Sequence, residues 1–544
     1  MTAHRTLTSL PAIALLLAFA PGTAAASDAV NEAKPARPNI VFIYSDDHAW
    51  QALGAYDTYL KDVVRTPHLD KLAEQGMLFE RCLVTNSICG PMRATIQTGK
   101  YSHLNGFWRN GNEFDAIGQD TFPKLLQQAG YQTAVIGKWH LGEHQAPQGY
   151  DYSEVLIGQG PYYNPPMLKD AGGSGDVEKR TREKHHGYVT DVITDLTLEW
   201  LENGRDKSKP FLLMSQHKAP HREWSPKPEI YHTWKDVVIP EPPTLFENYD
   251  EQVAPRAFQQ MTLAEHFRRG YDDKTRNFAP GNLTDEQRTA YRAMFAEENE
   301  AFEAGLPEMS EKDRVRWIHQ RYVKIFLACI ESVDQNVGRV MKYLEDNGLA
   351  DNTVVIYSSD QGFYLGEHGW YDKRWAYEES LRTPLIVRWP GKVEPGSRNG
   401  EIVSPLDFAQ TFLDLAGVEE PDDMQGRSLV PLLEGNTPDD WRHSHYYHYY
   451  EFPGYHAVNR HYAVCTKRHK LIRYYKHAED AEIGVDAWEL IDLEKDPHET
   501  RNFYDDPAYA EVRERLHAEL DRLRAYFKVP EQDPEHLNFG RNQH

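Results

Sequence analysis

"NIVFIYSDDH", Asn39 to His48, is apolar almost throughout and then breaks into two carboxylates, Asp46 and Asp47. A strand with one face in water alternates polar and apolar residues, whereas a run that is apolar on both faces suits a parallel sheet covered on both sides. Three more stretches share this pattern. "TAVIGKWHLG" runs into Lys138 and His140, "PFLLMSQHKAPH" into His217 and His221, and "TVVIYSSDQG" into Asp360 and Gln361. Helical patterns lie between them, "HLDKLAEQGMLF", "FPKLLQQAG" and "VDQNVGRVMKYLEDNG", the last two closing on the helix stops Gly130 and Gly348. Alternating strand and helix predicts an α/β fold with a doubly wound, mostly parallel sheet sandwiched by helices, which binds ligands where its strands end. The four polar endings are therefore expected to meet in one crevice.

A chain of 544 residues, 40% hydrophobic and 12% aromatic, has ample material for a large core and at least one smaller unit. Its 60 basic against 83 acidic side chains give a formal charge of -23, which argues against nucleic acid and anionic membrane surfaces as partners. Residues 1–26 carry His4 and Arg5, an apolar run and the small residues Ala24 to Ala26, the pattern of a cleaved signal peptide. Export to the periplasm or beyond is expected, with no membrane span in the mature chain. Cys82, Cys89, Cys329 and Cys465 have no framework or zinc-site spacing, so free buried thiols are expected for all but Cys89.

Asp46, Asp47 and Asp360, with the Gln361 amide, would place three carboxylates and an amide oxygen together. Such crowding is unfavourable without a cation, and an all-oxygen set favours calcium or magnesium. Aspartates capping helices after strands explain the same residues equally well. Cys89 opens "CGPMRATIQTGK". Pro91 suits the first turn of a helix, so Cys89 is expected at a helix N-terminus, where backbone N–H groups and the dipole attract anions.

Cys89-Gly90-Pro91-Met92-Arg93 with the following Thr98-Gly99 resembles the CxPxR…TG signature of the type I sulfatases, in which the cysteine is oxidised to formylglycine. Met92 stands where that family usually has serine or alanine. "RPNIVFIYSDDH", "GKWHLG", "KAPH", "SSDQGFYLGEHGWYDKRWAYEESLRTPLIVRWPG" and "WELIDLEKDPHETRNF" extend the resemblance over most of the chain, in the family's order. It implies an alkaline-phosphatase-like fold and hydrolysis of a sulfate ester. A hydrated aldehyde explains the modification: one hydroxyl attacks sulfur and the other, losing its proton, expels sulfate. By the same resemblance Asp46, Asp47, Asp360 and Gln361 hold one calcium ion with residue 89. Arg93 pairs with the diol, Lys138 and Lys373 bind sulfate oxygens, His221 protonates the leaving oxygen, and His140 assists elimination. His217 and Arg374 are candidate substrate contacts. A formylglycine-generating maturation enzyme is the implied partner.

The catalytic domain is expected over residues 37–435. A smaller α+β subdomain is expected over 436–544, where "HSHYYHYYEFPGYHAVNRHYAVCTKRHKLIRYYK" reads as antiparallel strands and "PAYAEVRERLHAELDRLRAYF" as an amphipathic helix. "GQGPYYNPPM" and "HLNGFWRNGNEFD" offer aromatic and amide groups suited to sugar, in a chain with some likeness to N-acetylglucosamine-6-sulfatases. Two other readings stay open: phosphate or phosphonate ester hydrolysis on the same scaffold, and a glycan-binding protein without chemistry.

Overall fold

Asn39–Asp46 forms a strand buried at every position, as its unbroken apolar run requires. A computed structural model describes residues 37–112, 114–477, 484–534 and 537, so the signal peptide expected over residues 1–26 lies outside the described residues. Among the described residues eleven strands build the main sheet. They are β1 (Asn39–Asp46), β2 (Met77–Leu83), β3 (Gln132–Gly137), β4 (Tyr152–Leu156), β5 (Pro166–Asp170), β6 (Thr181–Lys184), β7 (Phe211–Pro220), β8 (Thr353–Ser359), β9 (Arg382–Thr383), β10 (Leu385–Arg388) and β11 (Ser397–Val403). Their order is β9-β2-β10-β8-β1-β7-β3-β4-β5-β6, with β11 added alongside β2. The centre, from β8 through β1, β7 and β3 to β4, is parallel. The β5, β6 and β10 pairings are antiparallel. The four runs singled out by their polar endings are β1, β3, β7 and β8, neighbours at the centre of the sheet.

Helices cover both faces, the arrangement that a sheet apolar on both sides demands. Those used below are α1 (Pro67–Glu74), α2 (Cys89–Thr98), α3 (Phe122–Gln128), α4 (Val189–Glu199), α5 (Asp285–Gly305), α6 (Glu311–Asp346), α7 (Phe408–Leu415) and α8 (Ala510–Tyr526). Val41 and Ile43 of β1 point into one apolar cluster with residues of α1, α4 and α6. Ile40, Phe42 and Tyr44 point into the other, with residues of α2, α3 and α7. Each such side chain, taken wholly out of water, contributes roughly 1.5–3 kcal/mol. "HLDKLAEQGMLF" is not one helix: α1 ends at Glu74 and Met77 already belongs to β2.

A second, four-stranded antiparallel sheet comprises β12 (Ser444–Tyr449), β13 (His461–Thr466), β14 (His469–Tyr474) and β15 (Ala487–Asp492), with α8 against it. Its core is continuous with that of the main sheet, because Tyr447, Cys465, Ile472 and Ile491 share the cluster of Ile40 and Phe42. β12 also clasps the segment ahead of α2. The His448 N–H donates to the Thr85 carbonyl (2.9 Å), the Ser87 N–H donates to the Tyr447 hydroxyl (3.3 Å), and His445 Nε2 lies 2.9 Å from the Val84 carbonyl. All four cysteines are buried and unbridged. No helix among the described residues is long and apolar enough to cross a membrane.

Candidate active site

β1 delivers Asp46 at its end, and Asp47 turns out of the strand with φ 68°. That left-handed backbone aims the Asp47 N–H at Asp360 Oδ1, 3.0 Å away, just past the end of β8. Gln361 Nε2 donates to Asp360 Oδ1 (2.9 Å) and to Asp47 Oδ1. Oxygens of Asp46, Asp47 and Asp360 lie within 4.8 Å of one another. Strands adjacent in space thus join carboxylates more than 300 positions apart in sequence.

Cys89 is the first residue of α2, and the whole helix is buried. Gly90 must be small: a Cβ there would lie 2.5 Å from the Phe107 ring and 2.8 Å from Asn110 Oδ1. Asn110 accepts the Gly90 N–H (2.9 Å) and turns its Nδ2 to Cys89 Sγ (3.8 Å). Met92 is wholly buried in the apolar cluster, with its sulfur 3.6 Å from the Thr85 hydroxyl. One turn into the helix, Arg93 donates from Nη1 to the Lys138 carbonyl (2.6 Å) and Gln216 Oε1 (2.9 Å), and from Nη2 to Asp360 Oδ2 (3.3 Å). Its Nη2 also lies 3.6 Å from Asp46 Oδ1, and its guanidinium covers the Tyr44 ring.

Lys138, following β3, contacts Asp46 through its ammonium group. Lys373 contacts Asp47 and comes within 3.8 Å of Cys89 Sγ. His221, in the turn after β7, places Nε2 3.9 Å from Asp47 Oδ2, and its ring shares a 4.8 Å neighbourhood with Asp46 and Cys89 Sγ. His140 is half-buried, with Nε2 2.9 Å from the Gln159 amide nitrogen. Arg374, next to Lys373, reaches the other way, towards Tyr449 (3.3 Å), Glu451 (3.5 Å) and Asp372 (3.6 Å). His217 does not join the group. In β7 the Ser215 hydroxyl meets Thr197 of α4 and Gln216 meets Arg93, so alternation sends His217 to the face away from α2. Neither ring nitrogen of His217 has a hydrogen-bond partner among the described residues.

Burial dominates the electrostatics. It lifts Asp47 to about 7 against the pull of Lys373, with Asp360 and Asp372 adding to the rise. The Cys89 thiol is raised by burial, with Lys373 opposing. Lys373 is itself raised, because Asp47 and Cys89 outweigh the effect of burial. His140 and His221 are driven far below the usual imidazole range by burial and by the ammonium groups around them, so both are neutral at pH 7. Lys218, a third ammonium near the site, is lowered to about 8 by burial.

Whether these residues suit a cation is answered by the acceptors left over. Asp46 Oδ1, Asp47 Oδ2 and Gln361 Oε1 are buried and accept no hydrogen bond among the described residues. Native interiors rarely leave such atoms unmet. Three oxygens beside crowded carboxylates fit a hard divalent ion, and the helix-cap explanation fails because neither Asp46 nor Asp360 caps a helix side chain to backbone.

Sequence reading missed Asn110, Gln216 and Lys218. The two β7 residues were visible as polar positions at a strand end, while nothing in "RNGN" tied Asn110 to residue 89.

Sheet, acidic corner and buried cysteine at a helix N-terminus define an ester hydrolase of alkaline-phosphatase-like build. The chain belongs to the sulfatase family, which residues 38–418 match; residues 366–526 match "N-sulphoglucosamine sulphohydrolase, C-terminal". It is a sulfuric ester hydrolase. It is 42% identical over 515 residues to an N-acetylglucosamine-6-O-sulfatase of Bacteroides thetaiotaomicron, covering 92% of this chain and 88% of that one. It is 28% identical over 428 residues to the human N-acetylglucosamine-6-sulfatase, covering 75% and 66% respectively. A solved structure of a protein in complex with its substrate D-glucosamine-2-N,6-O-disulfate superposes with a TM-score of 0.84 at 40% identity, covering 92% of this chain and all of that one.

Proposed function

We propose that the protein removes the 6-O-sulfate from a sulfated glucosamine residue of a carbohydrate, using a formylglycine made from Cys89 and a calcium ion. The observation that carries this reading is the 42% identity to an N-acetylglucosamine-6-O-sulfatase, sustained over 92% of the chain. Formylglycine at position 89 supplies two geminal hydroxyls, one for attack at sulfur and one for expelling sulfate. Asp46, Asp47, Asp360 and Gln361 would hold the calcium ion, which would supply Lewis acidity to the sulfuryl group.

The chain's own groups do the rest. Lys373, 3.8 Å from Cys89 Sγ, sets a fixed positive charge beside the reacting centre, and Lys138, which burial and the neighbouring Lys218 ammonium hold well below the usual lysine range, donates from the Asp46 side. Arg93 holds Asp360, Gln216 and the Lys138 carbonyl in one rigid fork. Asn110 orients residue 89 through Gly90. His221 gives its proton to the departing sugar oxygen. It is neutral in the free enzyme because of burial and the surrounding ammonium groups; an incoming sulfate anion offsets those charges and lifts its pKa towards the working range. His140 takes up the proton released on elimination. Arg374, held by Tyr449, Glu451 and Asp372, borders the site beside Lys373, whereas His217 is withdrawn from substrate contact.

We also infer that a formylglycine-generating enzyme reads Cys89, Pro91 and Arg93, and that the leader exports the protein to the periplasm or the medium. The test is sulfate release from N-acetylglucosamine 6-sulfate, from its 3- and 4-sulfated isomers, and from an aryl sulfate and aryl phosphate pair. The 6-sulfate should be turned over fastest; preference for another position overturns the substrate, and preference for phosphate overturns the chemistry.

A further inference from the structure

A cavity of about 590 Å³ lies behind the metal-binding corner, between the segment that follows Asp46-Asp47 and the one that follows Asp360-Gln361. Trp50, Tyr56, Tyr59 and Pro242 form its apolar walls, and it opens past the exposed Asp57, Arg398 and His498. Nothing in the proposed reaction uses it.

Its acidic groups are unevenly satisfied. Glu80 is paired with Arg398 (2.9 Å), and Glu378 with Lys470 (2.8 Å), Arg81 (3.5 Å) and Arg382 (3.6 Å). Glu367 has only neutral donors: the Tyr59 hydroxyl (2.8 Å), the Gln51 amide (3.1 Å) and the Leu365 N–H (2.6 Å). Glu379 lines the same cavity with its Oε2 buried and unpartnered among the described residues. The one basic neighbour within 4 Å of it among the described residues is the His368 imidazole, whose Nε2 is 3.9 Å away, beyond hydrogen-bond reach. Gln51, only 2% exposed, adds a second unpartnered acceptor, its Oε1. Two buried carboxyl groups without a basic partner in hydrogen-bond reach, each held towards its protonated form by burial and Glu379 raised to about 8, lie beside an amide oxygen and aromatic rings; this lining suits hydrogen-bond donors and a positive charge that draws the protons off. A divalent metal is the poorer fit, because among the described residues no three acidic, histidine or cysteine ligand atoms converge here as they do around Asp46.

We propose that this cavity is a second binding site, separate from the sulfatase centre, for a small organic cation bearing primary ammonium groups. The ammonium N–H groups meet Glu379, Glu367 and the Gln51 oxygen, and the alkyl part lies along Trp50 and Tyr59. Gln51 follows Asp47 by four positions and Glu367 follows Gln361 by six, so an occupant grips both loops that carry the metal-binding residues.

The experiment is calorimetric titration of the full, calcium-saturated protein with 1,4-diaminobutane, with 1,4-butanediol and succinate as matched neutral and anionic probes. Saturable binding of the diamine alone is expected, with affinity reduced about tenfold or more by Glu379→Gln or by Gln51→Leu, the worth of a charged hydrogen bond. It should persist when the sulfatase centre is filled with N-acetylglucosamine 6-sulfate in a Cys89→Ala background. Absence of saturable binding, full affinity in the variants that fold, or displacement by the sulfated sugar would each overturn the proposal. The last result places the diamine in the sulfatase centre instead, and leaves the sulfatase reading itself intact.

Discussion

Replacing Arg93 by lysine keeps the charge and most of the length, yet it should cripple the protein. Arg93 satisfies three buried acceptors with a planar fork: the Lys138 carbonyl at 2.6 Å, Gln216 Oε1 at 2.9 Å and Asp360 Oδ2 at 3.3 Å. A lysine ammonium is a point donor on a flexible stem, and from the same backbone position it reaches one of the three. Two buried acceptors are then stranded at about 1–3 kcal/mol each, for a loss of roughly 2–6 kcal/mol. With stabilities of domains near 5–15 kcal/mol, that is a large share of the total. The cation over the Tyr44 ring is displaced as well. Urea unfolding of Arg93→Lys and wild type should be compared with calcium present and with chelator. Mass spectrometry of the peptide containing residue 89 then separates failed modification from failed catalysis. Turnover should fall at least a hundredfold, on the order of 10² for each 2.7 kcal/mol of lost transition-state support. A variant that unfolds within about 0.5 kcal/mol of wild type, the usual range for surface changes, refutes the fork.

Cys89→Ala and Cys89→Ser should retain the fold, by circular dichroism, and lose turnover completely; an active serine variant ends the formylglycine reading. Gly90→Ala should destabilise the protein by about 1–3 kcal/mol through overpacking against Phe107, with recovery in the Gly90→Ala/Phe107→Leu double variant, both read from denaturant midpoints. Asp47 gives a pH signature. Its folded pKa of about 7 lies above the unfolded value, so the native state holds the proton longer, and metal-free protein loses stability as pH rises from about 4 to about 7. A divalent ion bound by Asp47 would displace that proton: titrating calcium into metal-free protein in buffers of different ionisation enthalpy should find about one proton released at pH 6 and almost none at pH 8.5. Equal release at both pH values argues against Asp47 as a ligand.

The four apolar runs with polar endings were enough to place β1, β3, β7 and β8 together and to bring Asp46, Asp47, Lys138, His221 and Asp360 to one corner, because a parallel sheet leaves strand ends nowhere else to go. The same feature hid the fate of His217. "FLLM" is apolar on both faces, so the sequence holds no parity mark showing which alternate residues of β7 look towards α2. "HLDKLAEQGMLF" misled because Leu69, Leu72 and Met77 suit a helix period while Gly76, pressed against the Val387 carbonyl, marks the change to strand. Asn110 depended on a loop whose path is set by Phe107 and Gly90, contacts made only after folding.

The hold of β12 on Val84, Thr85 and Ser87 has a consequence for biosynthesis. His445 and Val84 are 361 positions apart, so the stretch leading into α2 gains its last anchors only after nearly the whole polypeptide has left the ribosome. Until then position 89 would stay open to the maturation enzyme proposed above. Once the late sheet docks, the thiol is sealed at 1% exposure. If residue 89 is modified as proposed, the carboxyl-terminal sheet would be the timer that closes the period for it.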